Sequence, residues 1–421
     1  MKVLFIIIAL IGLSYFLFSK RTFDFFSVAF FSAIIYFIPG FYGYAILPGF
    51  YKSYLIHETY MVMMLVLIGI LISGIFNDFR NDRKINDKTL HINGSYNMIF
   101  IITVITIISF IMMIITVGGY LFSPSKVEML QHSNRWVILW TNSTSFGFVL
   151  SILMKRKRLS IFFVIMLLFN LYMGHRSTLA ISLIAVFTNY LNMQKRQRFF
   201  INNIKFNILV IFTGFFFFAY KQVHAVLKLG YWNIVWDRIT DLQFYLYSIS
   251  YSEPFITQVI LNEILKTKFY VGMEHFKSIM YQFILFAPTL GAENISFNTL
   301  FQPTLFPEEK YGMASNIWAE MWSAGGWSLL VIFVVFFVTV IFYANKLLEN
   351  KDPIIRSVVL LMTTYWVFYI HRNTINYQIN LEKRVFLIWA FSIFISIITT
   401  SNIHTKKFSI LHSKSIEKDN L

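Results

Sequence analysis

The sequence predicts an all-α polytopic membrane protein, and three observations carry that prediction. Of its 421 residues 57% are hydrophobic and only 13% are charged, with a mean hydropathy of +0.63. A soluble domain carries about 25% charged residues, so this balance excludes an ordinary water-soluble globule. The 48 Phe, 23 Tyr and 9 Trp supply the aromatic side chains that fill bundle interiors and anchor at both membrane interfaces. Apolar runs of the roughly 17 to 25 residues needed to cross a bilayer as helix recur along most of the chain.

Measured against that length, about eleven helices fall near 3–19, 24–46, 59–76, 97–117, 136–154, 159–174, 177–193, 205–221, 326–345, 355–371 and 385–402. The first run, Val3 to Phe18, lacks a small-residue cleavage pattern and leads straight into Lys20-Arg21. It therefore reads as a retained helix and not as a secretory signal. Pro39-Gly40 predicts a kink in the second helix. In the fifth, Thr141-Asn142-Ser143-Thr144-Ser145 is too polar for lipid; it faces other helices as hydrogen-bonding glue, or a wet cavity. The sixth and seventh helices form a tight hairpin turning at Gly174-His175-Arg176-Ser177-Thr178. Arms this short keep the turn near the membrane surface, where Arg176 faces a watery cavity, an anion or the headgroups, because lipid exposure of a guanidinium costs several kcal/mol.

These runs divide the chain into eight N-terminal helices over 1–221, a large polar loop over 222–325, three helices over 326–402 and a basic tail over 403–421. The loop region gathers His224, Arg238, Asp241, Glu253, Glu263, His275, Glu293, Glu308, Glu309 and Glu320. It contains two amphipathic stretches, 231–250 and 254–267. In the second, Phe255, Val259, Ile260, Ile264 and Leu265 share one face while Gln258, Asn262, Glu263 and Lys266 lie elsewhere, as expected of a helix on the membrane or covering the bundle. The stretch 279–290 is apolar but too short to cross and contains Pro288, which predicts an interfacial or re-entrant segment.

Charge sets the expected orientation. More than half of the 36 Lys and Arg lie in six clusters, at Lys20-Arg21, Arg80 to Lys88, Lys155 to Arg158, Lys195 to Lys205, Lys346 to Arg356 and Lys406 to Lys418. With about eleven crossings all six fall on one side, which the positive-inside rule makes cytoplasmic, leaving the N-terminus and the 222–325 loop outside. This distribution accounts for the net charge of +16 without a nucleic-acid partner. The 77–96 segment, mixing Asp78, Asp82 and Asp87 with Arg80, Arg83, Lys84 and Lys88, reads as a solvated loop.

Several chemistries are excluded. The absence of cysteine removes disulfides, iron–sulfur clusters and thiolate zinc sites. The sequence has no Walker-type phosphate loop, no HExxH or outer Asp-x-Asp, and no Gly-x-Ser-x-Gly elbow. Neither a metal nor another cofactor is indicated. What remains outside is a set of arginines, Arg135, Arg176, Arg238, Arg372 and Arg384, together with His and Glu. A guanidinium matches phosphate oxygens in a two-pronged way, so arginines at a membrane surface suit a diphosphate headgroup. An outward-facing enzyme without nucleotides draws its activated substrate from a lipid carrier.

At GHRSTL (Gly174 to Leu179), SEPFITQVILNEIL (Ser252 to Leu265), SNIWAEMWSAGGWSLLVIF (Ser315 to Phe333) and HRNTINYQI (His371 to Ile379) the sequence resembles the bacterial O-antigen polymerases, the oligosaccharide repeat-unit polymerases. The resemblance covers the arrangement of most of the chain: many helices, a hairpin with a Gly-x-Arg turn, one long outer loop and an Arg-bearing loop before the last helix. It implies a multi-pass protein of the bacterial inner membrane with its active face in the periplasm. There the non-reducing end of one undecaprenyl-diphosphate-linked oligosaccharide attacks the anomeric carbon of another, and undecaprenyl diphosphate leaves. By position Arg176 and Arg372 match the arginines of the family's hairpin and last outer loop, and are expected to hold the diphosphate, with Arg238, Arg135 and His175 next. The base for the attacking hydroxyl is His275, Glu320 or Glu253, a choice the sequence leaves open. A chain-length regulator and a flippase in the same membrane are implied partners. O-antigen ligases share this architecture. A transporter of lipid-linked oligosaccharide would show internal repeats and mid-membrane charges, which this chain lacks.

Overall fold

In the computed structural model, which describes residues 1–47, 51–81, 95–123, 126–194, 197–250, 252–284, 295–309 and 312–418, the chain is mostly helical. Among the described residues five helices are long and apolar enough to cross a membrane: His57–Arg80, Asn97–Phe122, Arg135–Leu153, Ile317–Leu348 and Pro353–Arg372. Lys2–Phe18, Phe25–Tyr36 and Asn207–Tyr220 are shorter apolar helices. These helices mark a membrane-embedded protein. The fuller count of about eleven spans, and the side on which each loop lies, rest on the sequence pattern alone.

The chain forms two compact units. The second comprises 88–183, 348–361 and 384–421. Its core joins Met113, Val117, Leu121, Met129, Val137, Trp140 and Met173. The polar run of the Arg135–Leu153 helix is buried here: Ser143, Thr144 and Ser145 are fully enclosed. Thr106 donates to Ser143 Oγ (3.1 Å), and Thr141 donates to the Val137 carbonyl (2.7 Å) and to Asn170 Oδ1 (3.2 Å). Of the two expected roles, the run is interhelical glue. The Lys157–Tyr172 helix ends at Gly174 with φ 88°, where the Gly174 and His175 amides donate to the carbonyls of Leu171 and Asn170 (each 2.9 Å). This double bond to the last turn needs the left-handed conformation that glycine adopts freely, and it starts the Arg176–Asn192 helix two residues later.

The first unit comprises 1–87, 184–347 and 362–383. Its core is aromatic, with Phe5, Phe16, Phe25, Phe26, Phe30, Phe37 and Trp318 all fully buried. Near the start of the Phe25–Tyr36 helix lies a buried ion network. Arg21 pairs with Asp24 (3.0 Å) and Asp78 (2.8 Å), while Asn77 and Asn345 donate to Asp24 Oδ2 (3.1 and 3.3 Å). Lys20-Arg21 also pairs as a strand with Gln197-Arg198. Thus segments that the charge pattern groups on one side do meet at one end of the unit. Asn77 and Asp78 differ from the solvated loop expected of 77–96: their side chains complete this network, because an Arg buried beside an apolar bundle needs a full set of acceptors. Asp82, Arg83, Lys84, Asp87 and Lys88 lie outside the described residues.

One expectation for this unit is corrected and one is narrowed. The 24–46 span is not one kinked helix. It stops at Tyr36, makes a short Ile38–Tyr42 helix and turns at Gly43 (φ 90°) into a hairpin, Tyr44–Leu47 with Tyr51–Tyr54. Pro39 cannot donate its amide and crowds the preceding turn, so the break ends the helix where an apolar-run count continues it. Of the two places expected for the second amphipathic stretch, Glu253–Thr267 covers the bundle, with Gln258, Asn262 and Glu263 buried along with its apolar face. Asn262 accepts from the Ile56 amide (2.9 Å) and Thr59 Oγ1 (2.7 Å), and donates to Ser53 Oγ (2.7 Å) and the Tyr54 carbonyl (3.0 Å). Ser53 donates onward to Glu263 (2.7 Å). With every donor and acceptor of the Asn262 amide used, the helix is held against the hairpin as part of the bundle. The 231–250 stretch forms two short helices, Trp232–Thr240 and Leu242–Ser250. In the 279–290 stretch the Gly272–Tyr281 helix ends, and 285–290, with Pro288, falls outside the described residues, as does Glu293.

Candidate functional site

Four of the residues expected to carry the chemistry come together in the first unit, around the break between the Pro353–Arg372 span and the last helix. The Pro353–Thr364 helix widens into a π-helical turn over Tyr365–Tyr369 and tightens into a 3₁₀ turn over Ile370–Arg372. Asn373 is then extended (φ −110°, ψ 165°) before helix resumes at Ile375. Such changes of helical pitch re-aim side chains, and they recur at functional sites. Here the break presents His371 and Arg372 on irregular backbone. The Ser315 amide donates to the Arg372 carbonyl (2.9 Å), which ties this turn to the approach of the Ile317–Leu348 helix.

Asn316 starts that helix. Its side chain accepts from the amides of Trp318 (3.0 Å) and Ala319 (3.1 Å), as an N-cap does, and donates to the Thr257 carbonyl (3.0 Å). One residue thereby caps the helix and fastens it to Glu253–Thr267. Glu320 sits in the first turn, where a carboxylate suits the helix dipole, and is wholly buried. One of its oxygens meets His275 Nε2 (2.9 Å) and the other accepts from the Ile375 amide (2.8 Å). His275 belongs to the Gly272–Tyr281 helix, and the segment before it is clamped to the same helix of Glu320. Val271 donates to the Ser323 carbonyl (3.0 Å), and Ser323 Oγ donates to the Phe269 carbonyl (2.6 Å).

With Glu320 ionised and the imidazole neutral, the carboxylate only accepts, so the His275 proton is on Nε2 and Nδ1 keeps a lone pair. Among the described residues no hydrogen bond is formed at Nδ1. Carboxylate, imidazole and an open second nitrogen are the arrangement by which a buried acid orients a general base.

Arg372 donates from Nη1 to Glu253, lies over the Tyr369 ring (4.8 Å to its centre) and contacts the Tyr36 hydroxyl. Its side chain is 26% exposed and that of Glu253 is 25% exposed, so the ion pair is reached from solvent. Arg372 Nε has no partner among the described residues. Beside it His371 is buried and stacked on Tyr36 (5.4 Å between centres). Trp318 Nε1 donates to His371 Nδ1 (3.1 Å). Because an indole nitrogen only donates, the neutral His371 carries its proton on Nε2, which also has no partner among the described residues. Sequence reasoning placed His371 at the start of the HRNTINYQI stretch but gave it no role. A signal for one was its place beside Arg372 in a polar break after an apolar run.

The remaining expected residues are placed elsewhere. Arg238 is half-buried on the Trp232–Thr240 helix, over the Phe244 ring (5.6 Å). Arg135, His175 and Arg176 belong to the second unit. Arg135 is exposed at the first position of its helix, behind an Asn134 cap. His175 and Arg176 are half-buried at the hairpin turn, with Arg176 at the first position of Arg176–Asn192. A cation there opposes the helix dipole, so its position is not explained by helix stability. Among the described residues no three His, Asp or Glu side chains are grouped to hold a metal ion.

Compared with family models, with curated proteins and with solved structures, the chain matches none.

Proposed function

We propose that this chain is a glycosyltransferase of the bacterial inner membrane. It polymerises undecaprenyl-diphosphate-linked oligosaccharide repeat units at the periplasmic face into O-antigen or a related surface polysaccharide. The observation that carries the reading is the His275–Glu320 pair, joined through the Ile375 amide to the turn that bears Arg372. Glu320 thereby links the base to the short stretch of chain that bears a phosphate-binding cation. In this reading His275 Nδ1 takes the proton of the acceptor hydroxyl as its oxygen forms the new bond to the anomeric carbon. The bond from that carbon to the diphosphate breaks, and the departing charge falls on Arg372. Glu320 is the positioning residue that fixes the imidazole and balances the imidazolium that forms. Glu253, engaged by Arg372, is its counter-ion rather than the base. Around this centre the proposed frame is about eleven spans with the N-terminus and the 222–325 loop outside, and a flippase and a chain-length regulator act beside it in the membrane.

The test is the lipopolysaccharide ladder of a strain lacking the gene, complemented with wild type, His275→Ala or Arg372→Ala. A single-repeat band in the deletion, restored to a ladder by wild type and by neither variant, is the expected result. Lipid-linked polymer with unmodified lipid A core means a ligase. Unpolymerised units held on the cytoplasmic side mean a transporter. Either outcome overturns the reading.

A further inference from the structure

Two of the six basic clusters begin at the ends of membrane-crossing helices, and in the first unit their first residues meet at one ring. Arg80 closes His57–Arg80, and Lys346 lies in the last turn of Ile317–Leu348. The Arg80 guanidinium lies 5.1 Å and the Lys346 ammonium 5.2 Å from the centre of the Phe342 ring. The two charges are therefore within about 10 Å of each other, one screening length at 0.1 M salt. Both side chains are exposed, and neither forms an ion pair among the described residues. Asp78, two residues before Arg80, does not share its helix face and is engaged by Arg21 (2.8 Å). The place is held from beneath. Asn77 and Asn345, next to these cations along their helices, both donate to Asp24 Oδ2 (3.1 and 3.3 Å), which fixes the two helix ends together. Phe76 meets Phe342 at the same level (6.3 Å between centres). Farther along, a Cβ on Gly69 would lie 2.9 Å from Val334 Cγ1, so the two helices run in contact. A snorkelling cation at a helix end reaches outward toward water. These two turn toward one ring from two helices, and only ring faces offset their repulsion.

We infer that Arg80 and Lys346 hold the headgroup phosphate of an anionic phospholipid of the surrounding bilayer, with its chains against Phe76 and Tyr343. Two charge-assisted bonds of about 2.8 Å, with a phosphate between them, bridge a gap of this size and supply the missing negative charge. Phe76 (60% exposed) and Tyr343 (59% exposed) stand one turn deeper along their helices than Arg80 and Lys346, where the upper part of an acyl chain would follow its headgroup. That placement selects a lipid over a soluble anion, because the rings beside the cations belong to helices long and apolar enough to cross the membrane. The inference stands independently of the glycosyl-transfer reading, since none of its residues takes part in that chemistry.

The experiment measures lipid binding to the full chain in detergent by native mass spectrometry, with palmitoyl-oleoyl phosphatidylglycerol and the phosphatidylcholine of the same chains as probes. Wild type is expected to prefer the phosphatidylglycerol. Arg80→Ala and Lys346→Ala should each weaken its binding about fivefold and the double variant about thirtyfold, with phosphatidylcholine binding the same in all. Lys157→Ala combined with Arg158→Ala removes as much charge from another basic cluster and is expected to leave the preference unchanged. Because neither Arg80 nor Lys346 closes a buried pair, the variants should insert at wild-type levels, which immunoblots and thermal unfolding check. Equal binding of the two lipids by wild type overturns the site whatever the variants do. So does a double variant that binds phosphatidylglycerol as wild type does, or an equal loss in the Lys157 and Arg158 variant, which would make the attraction diffuse. Glycerol phosphate bound by wild type as tightly as the phospholipid overturns the lipid as occupant. A wild-type dimer that the double variant splits, with no lipid preference, makes the face a contact between copies of the chain and overturns it as well.

Discussion

Two charged clusters lie at opposite ends of one helix, Phe25–Tyr36, and they differ in what they leave undone. At its start Arg21 is 3% exposed, and its guanidinium donates to Asp24, Asp78 and Ser27 Oγ (2.6 Å), so the network is closed. At its end, about 18 Å away along the axis, Tyr36 contacts Arg372, whose pair with Glu253 is a quarter exposed. There Arg372 Nε, His371 Nε2 and Ser315 Oγ find no partner among the described residues. A polar network whose bonds are all made inside the protein holds helices in register. One that is well held but unsaturated is built to receive something. Both clusters are charged; they differ in burial and in saturation.

Activity gives the sharpest way to break that contrast. His275→Ala is expected to lower repeat-unit transfer by about 10² to 10⁴ per amount of inserted protein, that amount itself falling because Glu320 is left buried without its imidazole partner. Glu320→Gln is expected to lower the rate and to change its dependence on pH, since the imidazole loses the carboxylate that balances its charge. Transfer rates across pH, with membrane levels by immunoblot, check both. A His275→Ala protein that is active would move the base elsewhere.

Stability should respond in the opposite order. Arg21→Ala strands Asp24 and Asp78 in an apolar setting, and breaking a buried pair this way costs about 3 to 5 kcal/mol. It should lower the unfolding midpoint and the amount of inserted protein. Arg372→Ala removes a pair that solvent still reaches, so its cost is expected to fall below that of Arg21→Ala, while activity is lost. Thermal unfolding of the two variants in the same detergent compares them directly. If Arg372→Ala were the more destabilised, the open cluster would be structural too. Arg176→Lys, which keeps the charge but not the planar fork, is expected to insert normally and to impair transfer, and full activity in it would remove the hairpin arginine from the diphosphate.

How far this contrast was legible in the sequence depends on the range of the interactions. Where a helix is bounded by local signals, reading came within a residue or two: 136–154 is Arg135–Leu153, and 177–193 is Arg176–Asn192. Asn134 and Gly174 mark those ends by themselves. The break at Pro39 was visible as a residue but not as a stop, because apolar sequence continues past it into a hairpin. The candidate residues could be named by type, yet their pairing could not. Glu253 meets Arg372 across 119 positions and His275 meets Glu320 across 45, and no periodicity reports contacts of that separation. Which of its two expected places Glu253–Thr267 takes was hidden for the same reason, since what satisfies Asn262 is a hairpin more than 200 residues earlier.

Glu253 offers the finest test of the contrast, because it stands at the border between holding and receiving. An incoming diphosphate must compete with its carboxylate for the Arg372 fork. Glu253→Gln removes the competing charge but keeps the shape and one hydrogen-bond acceptor, so the fold should hold within about 1 kcal/mol. If Arg372 takes the leaving group, this variant should bind the lipid-linked donor more tightly, seen as a lower KM, with kcat unchanged or reduced where tighter ground-state binding slows the step. If Glu253 were instead the base, kcat would collapse and KM would stay. The two outcomes differ in sign on one parameter and in size on the other. One steady-state titration therefore decides whether the pair at the open end is a counter-ion awaiting exchange or half of the chemistry.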